Sequence, residues 1–289
     1  MKPPPFDYAV PTTLDEALEL LATHADDEPR VLAGGQSLVP LMNFRLAQPR
    51  YLVDLRLIED LRAVRADGDA LVIGAMARQS DVQRAPEVLV GAPLLAEALG
   101  YVGHVPIRNS GTVGGSLAHA DPAAELPAVA LALDAELVAA GSGGARRIPA
   151  AEFFTGPFST ALEPGEILTE VRFPRRAGGH AFVEFARTHG SFALVGVAAV
   201  VELDGGTVVR AALALSGVAG TPVRATAAEQ ALLGTAADAD AVAAAVEAGV
   251  AGLSPSGDLH GSTETRIDIA RSYLRRGITL ACSRAGDRR

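Results

Sequence analysis

The sequence predicts an α+β protein of two domains, on three observations. Up to about residue 176, short apolar segments bounded by turn formers are interspersed with amphipathic helical patterns. Two long apolar runs, Phe192 to Leu203 and Val208 to Ser216, are joined by "DGGT", the signature of an antiparallel hairpin. The alanine-rich remainder has helical period. A length of 289 residues with 49% hydrophobic content fits two cores.

Taken in order, the elements begin with "TTLDEALELLATH". Thr13 and Glu16 have capping-box spacing, and Leu14, Ala17, Leu18 and Leu21 share a face, so a helix is expected over 14–24. Strands are expected in "RVLAG", "YLVDL" (51–55) and "ALVIGAM" (70–76). "SDVQRAP" and "APLLAEALGYV" read as helical. Asp121 before Pro122 reads as an N-cap with proline at the first helical position, which places a helix over 122–133. "AELVAA" and "EILTEVRFP" read as strands, and "RRAGG" (175–179) reads as the connector between domains. The boundaries are therefore 1–176, with subdomains of about 1–57 and 58–176, and 177–289. The second domain carries the hairpin and three helices, in "RATAAEQALLG", "DADAVAAAVEAGVAG" and "TETRIDIARSYLRRGITLACSRA".

Composition removes several function classes. Net charge is −9 and aromatic content 4% with no Trp, which argues against a phosphate-tracking surface or base-stacking platform, so no nucleic-acid partner is expected. No apolar run approaches the roughly 20 residues of a membrane span, and "MKPPPFDYAV" lacks the apolar core of a signal peptide; a soluble, cytoplasmic protein is expected. Cys282 is the only cysteine, which excludes an internal disulfide and an all-cysteine iron–sulfur cluster built from this chain alone.

Two segments carry adjacent glycines, "AGGQSL" (33–38) and "GTVGGSLAHADPAAELPA" (111–128). Glycine pairs serve where φ must be positive or where a backbone must approach something closely. Successive N–H groups in such turns can form an anion nest, with Ser37 or Thr112 adding a hydroxyl. The plain alternative is a tight turn at each place. Neither segment is a Walker A loop, a Gly-x-Gly-x-x-Gly turn or a nucleophile elbow.

"AGGQSLVPLMNFRLAQPRYLVDL", "IRNSGTVGGSLAHADPAAELPA" and "FVEFARTHGSFALVGVAAVV" together resemble the FAD-binding subunit of molybdenum hydroxylases, such as the medium subunit of aerobic carbon monoxide dehydrogenase and the flavin part of xanthine dehydrogenases. The likeness spans nearly the whole chain. It implies a two-subdomain FAD-binding fold of the vanillyl-alcohol oxidase (PCMH) type, followed by a C-terminal domain of a three-stranded antiparallel sheet with a helical bundle. It also implies that Ala33, Gly34, Gly35, Gln36, Ser37 and Leu38, with Thr112, Val113, Gly114, Gly115 and Ser116, hold the FAD diphosphate.

By the same likeness, Val102 and Leu168 line the flavin, Glu125 stands where an acid hydrogen-bonds the cofactor, and Phe192 packs near the ring. Val102, Leu168 and Phe192 equally fit a core, and Glu125 equally fits a helix start. Ala186 replaces a lysine common in the family, and the cysteine-bearing insertion of 4-hydroxybenzoyl-CoA reductases is absent. The implied partners are a small [2Fe-2S] subunit and a large molybdopterin subunit, as a dimer of heterotrimers. This chain would pass electrons from the clusters through FAD to an external acceptor. Its rivals are a stand-alone flavin oxidase and a non-enzymatic nucleotide-binding scaffold subunit.

No side chain is assigned acid–base catalysis or metal ligation. His119 with Asp121 is a weak ligand set, better explained by capping, and the other histidines have no metal spacing; His104 lies nearest the second glycine segment. "GGARRIPA" and "RRGITLACSRAGDRR" read as solvated faces or ends, or as a partner-docking end.

Overall fold

The computed structural model of the chain describes residues 2–286. Its first unit comprises β1 (Asp7–Ala9), α1 (Leu14–Thr23), β2 (Arg30–Leu32), α2 (Leu38–Asn43) and β3 (Tyr51–Asp54). Both β1 and β2 run parallel to a central, fully buried β3, against which α1 buries Ala17 and Leu21. The α1 cap forms as its residues predict: Thr13 Oγ1 accepts from Glu16 N at 3.2 Å, while Glu16 Oε2 reaches back to accept from Thr12 N at 2.8 Å.

A larger unit follows: β4 (Val64–Asp67), β5 (Ala70–Gly74), α3 (Gln79–Val82), α4 (Pro86–Gly91), α5 (Pro93–Leu99), α6 (Val105–Ser110), α7 (Val113–His119), α8 (Glu125–Ala132), β6 (Glu136–Gly141), β7 (Gly144–Pro149), α9 (Ala150–Phe153), the hairpin β8 (Phe154–Gly156) and β9 (Ser159–Thr160), and β10 (Ile167–Pro174). Its antiparallel sheet has the order β4-β5-β10-β6-β7. After residues 175–178 come β11 (Gly179–Phe185), β12 (Val195–Asp204), β13 (Thr207–Ser216), β14 (Val223–Arg224), α10 (Thr226–Leu232), α11 (Ala239–Val250) and α12 (Thr263–Gly286). These strands form a second antiparallel sheet in simple chain order.

Strand alternation explains how the layers stack. Phe182, Ala198, Val200, Ala212 and Ala214 point from one face of the second sheet into a core with Leu94, Leu95 and Leu99 of α5, Leu126 and Val129 of α8, and Leu137 and Val171 of the first sheet. Helices α5 and α8 are thus sandwiched between two sheets, and α8 is buried on every side. The opposite face, through Val183, Val197, Ala199, Leu213 and Leu215, packs on α10, α11 and α12. There is no room for a side chain where α12 crosses β11: a Cβ on Gly179 would lie 1.9 Å from the Ala281 carbonyl oxygen.

Four expectations need adjustment. Helix α8 begins at Glu125 rather than Pro122, because Asp121 closes its own turn, accepting from Ala123 N through Oδ1 at 2.9 Å and from Ala124 N through its carbonyl at 3.0 Å. "GARRIP", expected to be a solvated stretch, is edge strand β7, whose Ile148 faces inward while Arg146 and Arg147 remain outside. The second sheet has a two-residue fourth strand, β14, added to three long ones. Strand β12 starts at Val195, which leaves Phe192 in the preceding loop. The end of the last basic stretch, 287–289, lies outside the described residues.

Phe182 is fully buried between the two sheets and meets the Tyr101 ring with centroids 5.3 Å apart. Phe182→Ala should lower the unfolding free energy by about 3–5 kcal/mol in urea titration; a loss well under 1 kcal/mol would mean that the sheets do not depend on this contact.

Candidate functional site

Beyond β2 the chain turns sharply into α2. Gly35 adopts φ +71°, the left-handed region, and the N–H groups of Gly35, Gln36 and Ser37 donate to no acceptor among the described residues. Gln36 instead folds its Nε2 back onto the Gly34 carbonyl at 3.0 Å. Leu38 opens α2, half-buried, and Ala33 is likewise half-buried. Three adjacent, uncommitted main-chain donors at a half-buried turn are the arrangement from which an anion nest can be built.

The second glycine segment is built differently from the turn suggested by its sequence. Thr112 caps α7 by accepting from Gly115 N at 3.0 Å, and Gly114 and Gly115 lie inside that helix with ordinary helical backbone. Val113 N donates to Ala77 O at 3.1 Å and Gly114 N to Ala75 O at 2.9 Å. Those amides are occupied and cannot serve as a nest. The glycines are needed for proximity: a Cβ on Gly114 would lie 2.4 Å from Ala75 Cβ. What this segment offers is a bare helix face at Gly115 and the Ser116 hydroxyl.

The two segments meet. A Cβ on Gly34 would lie 2.5 Å from Ser110 O and 2.7 Å from Gly111 Cα, and one on Gly115 would lie 3.2 Å from Ala33 Cβ. Arg78 braces the contact by donating to the Ser110 carbonyl. Residues some 80 apart in sequence thereby pack backbone against backbone, beside the free donors of the first segment. Main-chain N–H donors of this kind match the oxygens of an anion such as a diphosphate.

The remaining candidates, Leu168 of β10 apart, lie around the ends of β11, β12 and β13. Arg108 holds the 101–104 loop by donating to Val102 O at 2.8 Å and Gly103 O at 3.1 Å, leaving Val102 half-buried. A Cβ on Gly190 would meet the His104 ring at 2.6 Å, so the 186–194 loop lies against that of Val102. Phe192 in this loop is 69% exposed, the exposure of a contact residue and not of a core one. Ala186, at the start of the same loop, is half-buried. Gly217 N donates to Pro122 O at 2.8 Å, which brings the end of β13 to the turn before Glu125. Arg266 locks the same region, donating to Leu194 O at 2.7 Å, Gly217 O at 3.1 Å and Asp258 Oδ2 at 2.7 Å. Leu168 is 5% exposed and part of the core under α7 and α8.

Sequence reasoning missed Glu184. It lies on β11 on the same face as Phe182, and its Oε2 is buried without a hydrogen-bond partner. The available signal was an acid interrupting the apolar run "HAFVEF". Burial pushes the Glu125 carboxyl up to about 7, with Asp121 adding to the effect, and burial together with the Glu125 charge pushes Glu184 up to about 8. Among the described residues neither acid has a salt-bridge partner. Burial also holds the nearby His119 imidazole below its ordinary range. The described residues contain no group of three or more potential metal ligands.

A carboxyl whose folded-state value lies above its unfolded one binds more protons in the folded state, so stability falls as pH rises from the ordinary carboxyl range through the folded value. For Glu125 that window runs from about 4.5 to about 7. Thermal unfolding across it should show Tm falling with pH in the wild type and a shallower fall in Glu125→Gln; parallel profiles would contradict the assignment.

Comparison with known proteins accords with this geometry. Residues 4–176 match the family of the FAD binding domain in molybdopterin dehydrogenase, and residues 180–281 match the CO dehydrogenase flavoprotein C-terminal domain. The chain is 41% identical over 288 residues to the 6-hydroxypseudooxynicotine dehydrogenase complex subunit alpha of Paenarthrobacter nicotinovorans, covering 99% of this chain and 97% of that one. It is 38% identical over 286 residues to the carbon monoxide dehydrogenase medium chain of Hydrogenophaga pseudoflava, covering 98% and 99%. A solved structure of carbon monoxide dehydrogenase from the same organism superposes with a TM-score of 0.96 at 40% identity, over 99% of this chain and 100% of that chain. Quinoline 2-oxidoreductase from Pseudomonas putida 86 superposes with a TM-score of 0.95 at 39% identity, over 99% of both. With both domains matched and near-complete coverage, the chain belongs to the family of FAD-binding subunits of molybdenum-dependent dehydrogenases.

Proposed function

We propose that this chain is the electron-transfer flavoprotein subunit of a molybdenum hydroxylase complex. It would accept electrons from the [2Fe-2S] clusters of a small partner subunit and pass them to an external acceptor, while substrate is hydroxylated in a large molybdopterin subunit. The observation that carries this reading is the apposition of Gly34 with Gly111 and of Gly115 with Ala33, beside the free N–H groups of Gly35, Gln36 and Ser37. The assignment of 1–176 as flavin-binding and 177–289 as the C-terminal domain is part of the proposal. It is supported by the family matches over 4–176 and 180–281.

Bound FAD supplies one- and two-electron redox chemistry. The chain's own residues bind and orient it. Ala33 to Leu38 grip the diphosphate through the main chain, with Ser37 and Ser116 contributing hydroxyls. Thr112, Val113 and Gly114 fix the bare helix face at Gly115 rather than donating themselves. Val102, Leu168 and Phe192 present apolar contacts to the ring, and Glu125 offers a buried carboxyl for a polar edge of the cofactor. No side chain carries a catalytic role, in keeping with a relay whose chemistry starts and ends on other centres. The complex would be assembled as a dimer of heterotrimers.

Gly35→Val requires a β-branched residue at φ +71° and a Cβ 3.2 Å from Val39 Cγ2, so it should weaken FAD binding by tenfold or more in a fluorescence titration. Unchanged affinity would contradict the cradle. In anaerobic stopped-flow absorbance, flavin in the assembled complex should be reduced when the molybdenum subunit's substrate is added, and flavin in this chain alone should not. Reduction by the chain alone would favour a stand-alone oxidase, and no flavin reduction in the complex would favour a scaffold.

A further inference from the structure

Among the described residues Arg266 is the only basic side chain that is buried. It stands in the first turn of α12, where side chains lean toward the helix N-terminus and the helix dipole disfavours a cation. Its acidic partner at 2.7 Å, Asp258, is half-exposed, and its Nε is buried without a hydrogen-bond partner. An apolar side chain of similar volume would serve stability as well or better. What the guanidinium supplies is geometry.

That geometry joins three loops. Arg266 Nη1 donates to Leu194 O at 2.7 Å and to Gly217 O at 3.1 Å, and Nη2 donates to Asp258 Oδ2 at 2.7 Å. The two carbonyls converge on one nitrogen because Gly217, at φ +77°, has no side chain: a Cβ there would lie 2.3 Å from Leu194 O. Each loop is tied further. Leu194 N donates to Phe185 O at 2.8 Å and closes the 186–193 loop, in which Phe192 is exposed. Gly217 N donates to Pro122 O at 2.8 Å, on the turn that leads to Glu125. Asp258 Oδ1 accepts from His260 N at 2.8 Å and Gly261 N at 3.1 Å, which holds its own turn. Inside the 186–193 loop the Thr188 and Ser191 hydroxyls bond to each other at 2.6 Å. The placement of the loop is therefore set at its root by Leu194 and at its tip by Gly190 against His104.

We propose that Arg266 is a positioning residue for the flavin ring: it fixes the root of the Phe192 loop relative to the turn before Glu125, and so sets where Phe192 stands at the ring. The claim about the ring rests on the function proposed above; the claim about the loop does not. A planar guanidinium fork bridges two carbonyls and a carboxylate at once, in fixed directions that a lysine ammonium does not reproduce. Arg266 acts through the Leu194 and Gly217 carbonyls and holds no catalytic role.

Amide hydrogen exchange of the full-length chain without cofactor, read by mass spectrometry, tests the loop. In Arg266→Met, which keeps an apolar stem, amides of 186–194 should exchange at least about tenfold faster than in the wild type, while those of β5, β6 and β10 exchange as before. Arg266→Lys should fall between the two, since it keeps the charge and loses the fork. Unchanged exchange over 186–194 overturns the proposal. Equal acceleration in the first sheet also overturns it, because Arg266 would then be a general stabilising residue. Should Arg266→Met fail to fold, Asp258→Asn removes the charge that orients the guanidinium and should give a smaller acceleration confined to 186–194 and the 254–262 turn; no acceleration there overturns the proposal equally. With FAD bound, the visible circular dichroism of the flavin should differ between wild type and Arg266→Met and be restored in part by Arg266→Lys. Identical dichroism beside an accelerated loop overturns the role at the ring. Failure of the wild type to bind FAD, with the loop accelerated in the variant, overturns the functional reading and not the claim about the loop.

Discussion

The contact between two bare stretches of backbone governs the rest of this molecule. Gly34 lies against Ser110 and Gly111 closer than any side chain permits, and Gly115 lies tightly against Ala33. That contact ties the small parallel unit to α7, and α7 is in turn held to β5 through Gly114 and Ala75. One methyl group at Gly34 would have to displace main-chain atoms, which cannot relax as a flexible side chain can. Beside this contact lie the free main-chain N–H groups of Gly35, Gln36 and Ser37 and the hydroxyls of Ser37 and Ser116. On the proposed function, an acidic chain, of net charge −9, would thereby receive an anionic cofactor through its main chain.

From this point the architecture runs outward in layers. Helix α8 follows α7 after one turn, is buried throughout and separates the two sheets. The second sheet then carries the loops of Phe192 and Gly217 back toward α8 and the Val102 loop, secured by Arg266 and Arg108. Ion pairs from Arg210 and Arg224 to Asp134, at 2.7 Å each, clamp the same two layers at the opposite end of α8. They are half-exposed and contribute modestly; the apolar sandwich holds the layers together.

Much of this was legible in the residues. The hairpin over "DGGT" forms as read, with Gly205 and Gly206 at positive φ; α1 follows its apolar period and cap, and α11 and α12 form where the helical pattern was read. What was not legible has physical causes. Strand β7 is an edge strand whose one inward residue, Ile148, is flanked by arginines, so alternation was masked by charge. At Asp121 a local Asx turn competes with the helix cap that the same residue could make, and the turn wins. The second Gly-Gly is identical in sequence to a turn but serves close packing inside a helix, a distinction set by Ala75, some 40 residues away. Glu184 was passed over because one acid in an apolar strand gives no sign in the sequence that its carboxyl is buried.

The central claim is that main-chain donors at the glycine contact provide the dominant grip on the cofactor, through its diphosphate. Calorimetric titration of the full-length chain with FAD and with riboflavin, which carries the same ring without diphosphate or adenosine, and with adenosine as the control for the base, tests this most directly. The account predicts that FAD binds at least about a hundredfold more tightly, a difference of roughly 3 kcal/mol. Equal affinities would contradict it and would move the grip to the ring and the residues around Val102, Glu125 and Phe192.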